Sequence, residues 1–238
     1  IAYTLSSNIP EISPFLLFIL IQIPLPLPTV LILCIDLGTD MVPAISLAYE
    51  NAEANIMKKK PRDSAKDRLV TTKLVVFSYL QIGIFQAIAG FYCYFVVLND
   101  YGFDPSILPF IAPHWSSDNL RPIGGPYEYF EIPGEEPRWL KPCALPREGV
   151  CHNPEEALAH AQTSFFLSII VVQWADLVCC KTRELSLFNQ SMRNGYLNFG
   201  LVWETVLGLV LCYAPGFDKY FGTRPIEFQH FLPAMPFC

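Results

Sequence analysis

Positive charge is nearly absent from the apolar parts of this 238-residue sequence. No lysine or arginine occurs between residues 1 and 57, and residues 74–99 carry no charge of either sign. Only 16% of all residues are charged, whereas soluble domains usually carry about 25%. Uncharged apolar runs of this length match the roughly 20 residues that cross a bilayer as a helix. The sequence therefore predicts a multi-spanning membrane protein rather than one or two soluble domains.

Five membrane-spanning helices are predicted, and together they define an all-α, polytopic helical bundle. Their approximate bounds are 1–23, 29–49, 72–98, 163–180 and 196–213, and residues 231–238 are predicted to begin a sixth helix. Pro24, Pro26 and Pro28 separate the first two helices, because proline removes a backbone donor and clashes within a helix. The first apolar run has no basic leader, so we expect a helix entered partway in a fragment rather than a signal peptide.

Basic residues collect in two of the predicted loops, at about residues 50–71 and 181–195. They are Lys58, Lys59, Lys60, Arg62, Lys66, Arg68 and Lys73 in the first loop, and Lys181, Arg183 and Arg193 in the second. The positive-inside rule predicts that both loops are cytoplasmic. The loops at about 99–162 and 214–230 are then extracellular. The longer one contains Cys143 and Cys151, where an oxidising compartment permits either a disulfide or two free thiols.

Five acidic residues lie inside the predicted helices without a basic partner. They are Glu11, Asp36, Asp40, Asp176 and Glu204. A charged side chain at the bilayer centre costs about 2.5–3.5 kcal/mol, so such residues are normally paired or functional. These acids are therefore either protonated or neutralised by a bound cation. A structural hydrogen-bonding role explains one acid better than it explains five.

The polar residues beside the acids favour a hard cation. No histidine lies in any predicted helix, and oxygen ligands suit alkali and alkaline-earth ions. Asp36 and Asp40 are four residues apart and are predicted to share one helix face. Gly38 between them allows either the backbone to unwind or another helix to approach. Pro10 and Pro14 free backbone carbonyls around Glu11. The hydroxyl and amide oxygens nearby belong to Ser6, Ser7, Asn8 and Gln173.

Four segments carry a family resemblance. The runs YTLSSNIPE (Tyr3 to Glu11) and CIDLGTDMVPAISLAYE (Cys34 to Glu50) resemble the fifth and sixth transmembrane helices of Na+/K+-ATPase α subunits. NIMKKKPR, at residues 55–62, is similar to the loop that follows. Residues 171–183 resemble the eighth helix and its end. The resemblance implies helices five to nine and the start of the tenth of a P-type cation ATPase.

This resemblance implies a role for each matching residue. Two shared ion sites are matched by Ser7, Asn8, Glu11, Asp36 and Asp40. A third, sodium-selective site is matched by Tyr3, Gln173, Asp176 and Glu204. Trp203 stands where these pumps usually carry a second glutamate, which alters the third site. In the family's cardiac-glycoside pocket, Phe15 and Phe18 are present and Leu31 replaces a threonine, so the resemblance implies a resistant pump.

The implied function is ATP-driven exchange of Na+ and K+ across the plasma membrane. The related H+/K+ pumps carry a lysine at the position of Ser7, so this residue favours the Na+/K+ branch. Mg2+ and ATP are expected to act only in cytoplasmic domains that this chain lacks, and the chain alone is expected to be inactive. The implied partners are a β subunit, bound through the 99–162 loop, and membrane lipid, with no nucleic acid.

Three alternatives stay open at this point. The chain is alternatively a truncated, non-pumping membrane fragment or part of an H+/K+-type pump. A proton-coupled secondary transporter is a weaker alternative, which predicts further helices and no ATPase domains.

Overall fold

Five long helices dominate the described part of the chain. The computed structural model describes residues 1–50, 68–122, 128–132, 136–144, 151–181 and 194–237. Each long helix has the length and composition needed to cross a membrane. They are α1 (Ala2–Ile21), α2 (Thr29–Tyr49), α3 (Thr72–Asp100), α4 (Pro154–Lys181) and α5 (Gly195–Tyr213). The predicted fold class, an all-α multi-pass membrane protein, is confirmed.

Helix α4 begins at Pro154, not near residue 163, so the predicted extracellular loop ends at residue 153. The Asn153 side chain accepts hydrogen bonds from the backbone N–H groups of Glu155 (3.1 Å) and Glu156 (3.4 Å). Proline suits the first helical position because its missing N–H would be unpaired there. The earlier start places His160 inside a helix, which corrects the expectation that no helix contains histidine. Its Nδ1 lies 2.8 Å from the Glu156 carbonyl oxygen.

The segment after α5 also differs from the expected sixth helix. It contains two short helices, α6 (Phe217–Phe221) and α7 (Phe228–Phe231), and a 3-10 segment (Leu232–Phe237) that packs on α3 and α4. Prolines at positions 233 and 236 remove the N–H donors that a longer α-helix would need. Most of the basic residues used to predict topology, at 51–67 and 182–193, lie outside the described residues.

Close packing of α3 against its neighbours forms the centre of the bundle. A Cβ atom at Gly90 would lie 2.8 Å from the Phe165 ring of α4, and one at Gly83 would lie 2.7 Å from Ile9 of α1. Both contacts are shorter than real Cβ atoms make, so only glycine fits at these crossings. The backbone of α3 therefore approaches α1 and α4 closely.

The loop between α3 and α4 contains a small antiparallel sheet that was not predicted. Its strands are β1 (Leu120–Pro122), β2 (Glu128–Phe130) and β3 (Arg138–Trp139), in the order β1-β2-β3. Near the start of α4, Cys143 and Cys151 are joined by a disulfide, with Cα atoms 6.1 Å apart. The loop is thus a folded surface attached to α3 and α4.

Candidate cation site

Four of the five acids point into the bundle from four different helices. Glu11 comes from α1, Asp40 from α2, Asp176 from α4 and Glu204 from α5, and none is more than 7% exposed. The interiors of these helices contain no lysine or arginine. The fifth acid, Asp36, is exposed. The structure therefore brings together carboxylates that are far apart in sequence and have no basic residue between them.

The two aspartates of α2 lie on a π-helical turn, Cys34–Asp40. A π turn contains an extra residue and is frequent at functional sites. It replaces the unwinding expected around Gly38, since the backbone widens but stays helical. Asp40 is buried while Asp36 is exposed. The two side chains are therefore in different environments, although they were expected to share one helix face.

An open cavity between α1 and α2 lies beside this turn. Its volume is about 510 Å³, and both Asp36 and Asp40 line it together with Ser7 and Asn8. The Ser7 hydroxyl and the Asn8 amide each donate to the carbonyl oxygen of Thr4, at 3.2 and 2.7 Å. Four of the sequence-predicted ligands thus face one cavity.

Asp176 has a different environment, because three side chains donate to its carboxylate. The donors are the Ser6 hydroxyl (2.5 Å), the Gln86 amide (3.1 Å) and the Cys180 thiol (3.2 Å). Gln86 lies on α3, is fully buried and was not recognised in the sequence as a site residue. The available signal was weak: it is one of few amide side chains in the uncharged run of residues 74–99.

Several buried polar atoms around these acids have no hydrogen-bond partner among the described residues. Buried polar groups are almost always paired, and an unpaired one costs about 1–3 kcal/mol. The unpaired atoms are Tyr3 Oη, Glu11 Oε1, Asp40 Oδ1, the side-chain oxygen and nitrogen of Gln173, and both carboxylate oxygens of Glu204. Electrostatic interactions link Tyr3 to Asp40, Asp176 and Glu204, and link Glu11 to Asp40, so Tyr3 and these acids form one cluster. The cluster offers several oxygen atoms to a ligand.

The three residues of the predicted inhibitor pocket lie in different environments. Leu31 is 1% exposed and belongs to an apolar core with Leu27 and Ile35, whereas Phe18 is 40% exposed and Phe15 is half-buried. Leu31 is therefore not presented at the surface beside Phe18. Its effect on inhibitor binding stays a prediction.

A bundle of membrane-spanning helices around a buried, oxygen-rich acidic cluster is typical of ion-transporting membrane proteins. Residues 24–238 match the family model described as cation transporting ATPase, C-terminus. The chain belongs to the cation-transporting ATPase family.

Individual relatives agree with this assignment. The chain is 53% identical over 238 residues to a sodium/potassium-transporting ATPase subunit alpha of Drosophila melanogaster. It is 50% identical over 237 residues to subunit alpha-B of Artemia franciscana, and 49% identical over 237 residues to subunit alpha-2 of Homo sapiens. Each match covers 100% of this chain but only 21–22% of the relative. The chain thus spans about a fifth of the length of these relatives.

Proposed function

We propose that this chain supplies the transported-cation sites of an ATP-driven pump that exchanges Na+ and K+ across the plasma membrane. The observation that carries the proposal is the set of unpaired buried oxygens on Asp40, Glu204 and Glu11. Oxygen ligands without histidine or thiolate suit hard cations, and the relatives are named for sodium and potassium transport. Na+ and K+ are the substrates of this site, whereas Mg2+ and ATP act in domains outside this chain.

The surroundings of Asp176 and those of Asp40 and Glu204 differ in how readily they accept a cation. These are the two parts of the cluster. Around Asp176, three protein donors already stabilise the carboxylate, so a cation there competes with hydrogen bonds that must be released or turned. Around Glu204 and Asp40, unpaired oxygens gain their partner when a cation enters. A cation is thus expected to bind first between Asp40 and Glu204. Tyr3 supplies a hydroxyl oxygen to either part.

We also infer that the loop between α3 and α4 is extracellular and contacts a β subunit. A disulfide is stable in an oxidising compartment, and the loop presents a folded sheet rather than an extended chain. The relatives are named as subunits. Co-expression with a β subunit of the Drosophila pump tests this: replacing residues 120–139 with a flexible linker should abolish co-purification. Undiminished co-purification would contradict the inference.

The transport proposal is tested with a chimera in which this chain replaces the matching region of the Drosophila relative. ATP hydrolysis in membranes should depend on Na+ and K+ together, and Asp40→Asn should raise the half-saturating K+ concentration at least tenfold. Asp118→Asn, an exposed acid of the loop, is the matched control and should behave like the parent. A chimera that reaches the membrane but shows no cation-dependent hydrolysis would instead support the non-pumping alternative. Equal K+ dependence in Asp40→Asn and the parent would remove Asp40 from the site.

A further inference from the structure

Trp203 of α5 makes an unusual contact with the π turn of α2. Its indole Nε1–H donates a hydrogen bond of 3.0 Å to the carbonyl oxygen of Gly38. Gly38 lies midway between Asp36 and Asp40, so the bond reaches the backbone that carries both acids. Trp203 as a whole is 42% exposed. A tryptophan N–H can only donate, so this orientation fixes the ring toward the turn.

Gly38 lies inside the π turn, which ends at Asp40, and the chain continues as an α-helix over Met41–Ser46. A backbone carbonyl left unpaired inside a membrane costs several kcal/mol, because no water can bond to it. The indole of Trp203 brings a donor from another helix to a carbonyl of this turn.

Helices α5 and α2 pack closely on each other around this hydrogen bond. A Cβ atom at Gly38 would lie 2.9 Å from Leu207, one turn after Trp203. A Cβ atom at Gly200, one turn before Trp203, would lie 3.1 Å from the Cα atom of Pro43. The two helices therefore touch through glycine on both sides of the hydrogen bond. Glu204 follows Trp203 directly and turns its carboxylate inward.

We propose that Trp203 is a positioning residue of the cation site, which fixes the π turn through its hydrogen bond to the Gly38 carbonyl and thereby sets the positions of Asp36 and Asp40. This inference rests on the function proposed above.

The test uses Trp203→Phe in the same chimera, which keeps an aromatic ring and removes only the donor. One neutral hydrogen bond corresponds to roughly a two- to tenfold change in affinity. The half-saturating K+ concentration should rise by this factor, while the maximal rate changes less. Phe199→Leu is the matched control, because Phe199 stacks on Trp203 at 6.3 Å from the same exposed face. It removes that stacking and leaves the hydrogen bond in place.

Two results would overturn the proposal. The first is an unchanged half-saturating K+ concentration in Trp203→Phe. The second is an equal rise in Trp203→Phe and Phe199→Leu, which would assign the effect to ring packing. If the parent chimera shows no cation dependence at all, the proposed function fails, and a second measurement still decides the role of Trp203.

That second measurement is amide hydrogen exchange of residues 34–42 in the purified chimera without added K+ or Na+. Loss of the bond from Trp203 should accelerate exchange across the π turn roughly two- to tenfold in Trp203→Phe and leave Phe199→Leu unchanged. Equal exchange in parent and Trp203→Phe would show that the indole does not hold the turn. This readout needs neither transport nor a bound cation.

Discussion

Asn194 connects the start of α5 to the end of α2 through hydrogen bonds, and replacing its side chain should destabilise both helix ends. Its side-chain oxygen accepts from the backbone N–H groups of Tyr196 (3.0 Å) and Leu197 (3.2 Å), while its amide donates to the Glu50 carboxylate at 2.8 Å. Asn194 is 7% exposed. The buried Lys181 ammonium approaches the other oxygen of Glu50 at 3.8 Å. One amide group therefore joins a helix cap to an ionic contact.

The expected loss for Asn194→Ala can be estimated from these bonds. Losing an N-cap side chain costs about 1 kcal/mol. Losing a hydrogen bond to a charged group costs about 1.5–3 kcal/mol. The two terms together give roughly 2.5–4 kcal/mol for opening the first turn of α5, which corresponds to about seventyfold to thousandfold faster exchange of its amides.

Hydrogen exchange of residues 194–200 in the purified chimera is the assay. Asn194→Ser keeps a cap acceptor and loses the reach to Glu50, so its exchange rate should fall between the parent and Asn194→Ala. Glu50→Gln keeps an acceptor without the charge and should cost less than Asn194→Ala. If the alanine variant exchanges less than threefold faster than the parent, neither the cap nor the bridge stabilises α5, and the reasoning is refuted.

Two further changes should have separate effects. Gly90→Val places a branched side chain where the Phe165 ring leaves 2.8 Å, so it should destabilise the α3–α4 pair by about 1–3 kcal/mol; an unchanged thermal midpoint of the detergent-solubilised chimera would contradict this. A hydrogen bond from Lys141 lowers the pKa of Asp104 from 3.8 to about 2. The stability from this pair is therefore present above pH 4 and lost as the pH falls toward 2. The pair is partly exposed and contributes about 1 kcal/mol or less. Pepsin should cleave the loop increasingly over this range, and Asp104→Asn should abolish the extra dependence on pH.

The helices and the acids could be predicted because apolar length and isolated charge are local signals. Asp36, Asp40 and Glu204 each stand out against an apolar run, whatever their neighbours are. The same local signal was misleading at residues 154–162, since Glu155, Glu156 and His160 made the first turns of α4 resemble a polar loop. Polarity in that segment reflects a helix end, not the absence of a helix.

The residues that could not be predicted act through partners far away in the chain. Gln86 is one polar residue in an apolar helix, and its role depends on Asp176, 90 residues later. The bond from Trp203 to Gly38 spans 165 residues, and it reaches a π turn that no residue pattern indicates. Short strands of two or three residues are equally invisible, because they contain too few positions to show alternation.

The proposed function requires that the buried carboxylates of this chain bind transported cations. Equilibrium binding of radioactive rubidium, a congener of K+, to the purified chimera tests it most directly. The parent should bind rubidium, K+ should displace it, and Asp40→Asn and Glu204→Gln should each weaken binding at least tenfold, while Asp118→Asn should not. Rubidium binding that is unchanged in both Asp40→Asn and Glu204→Gln would show that these carboxylates do not bind the transported cations.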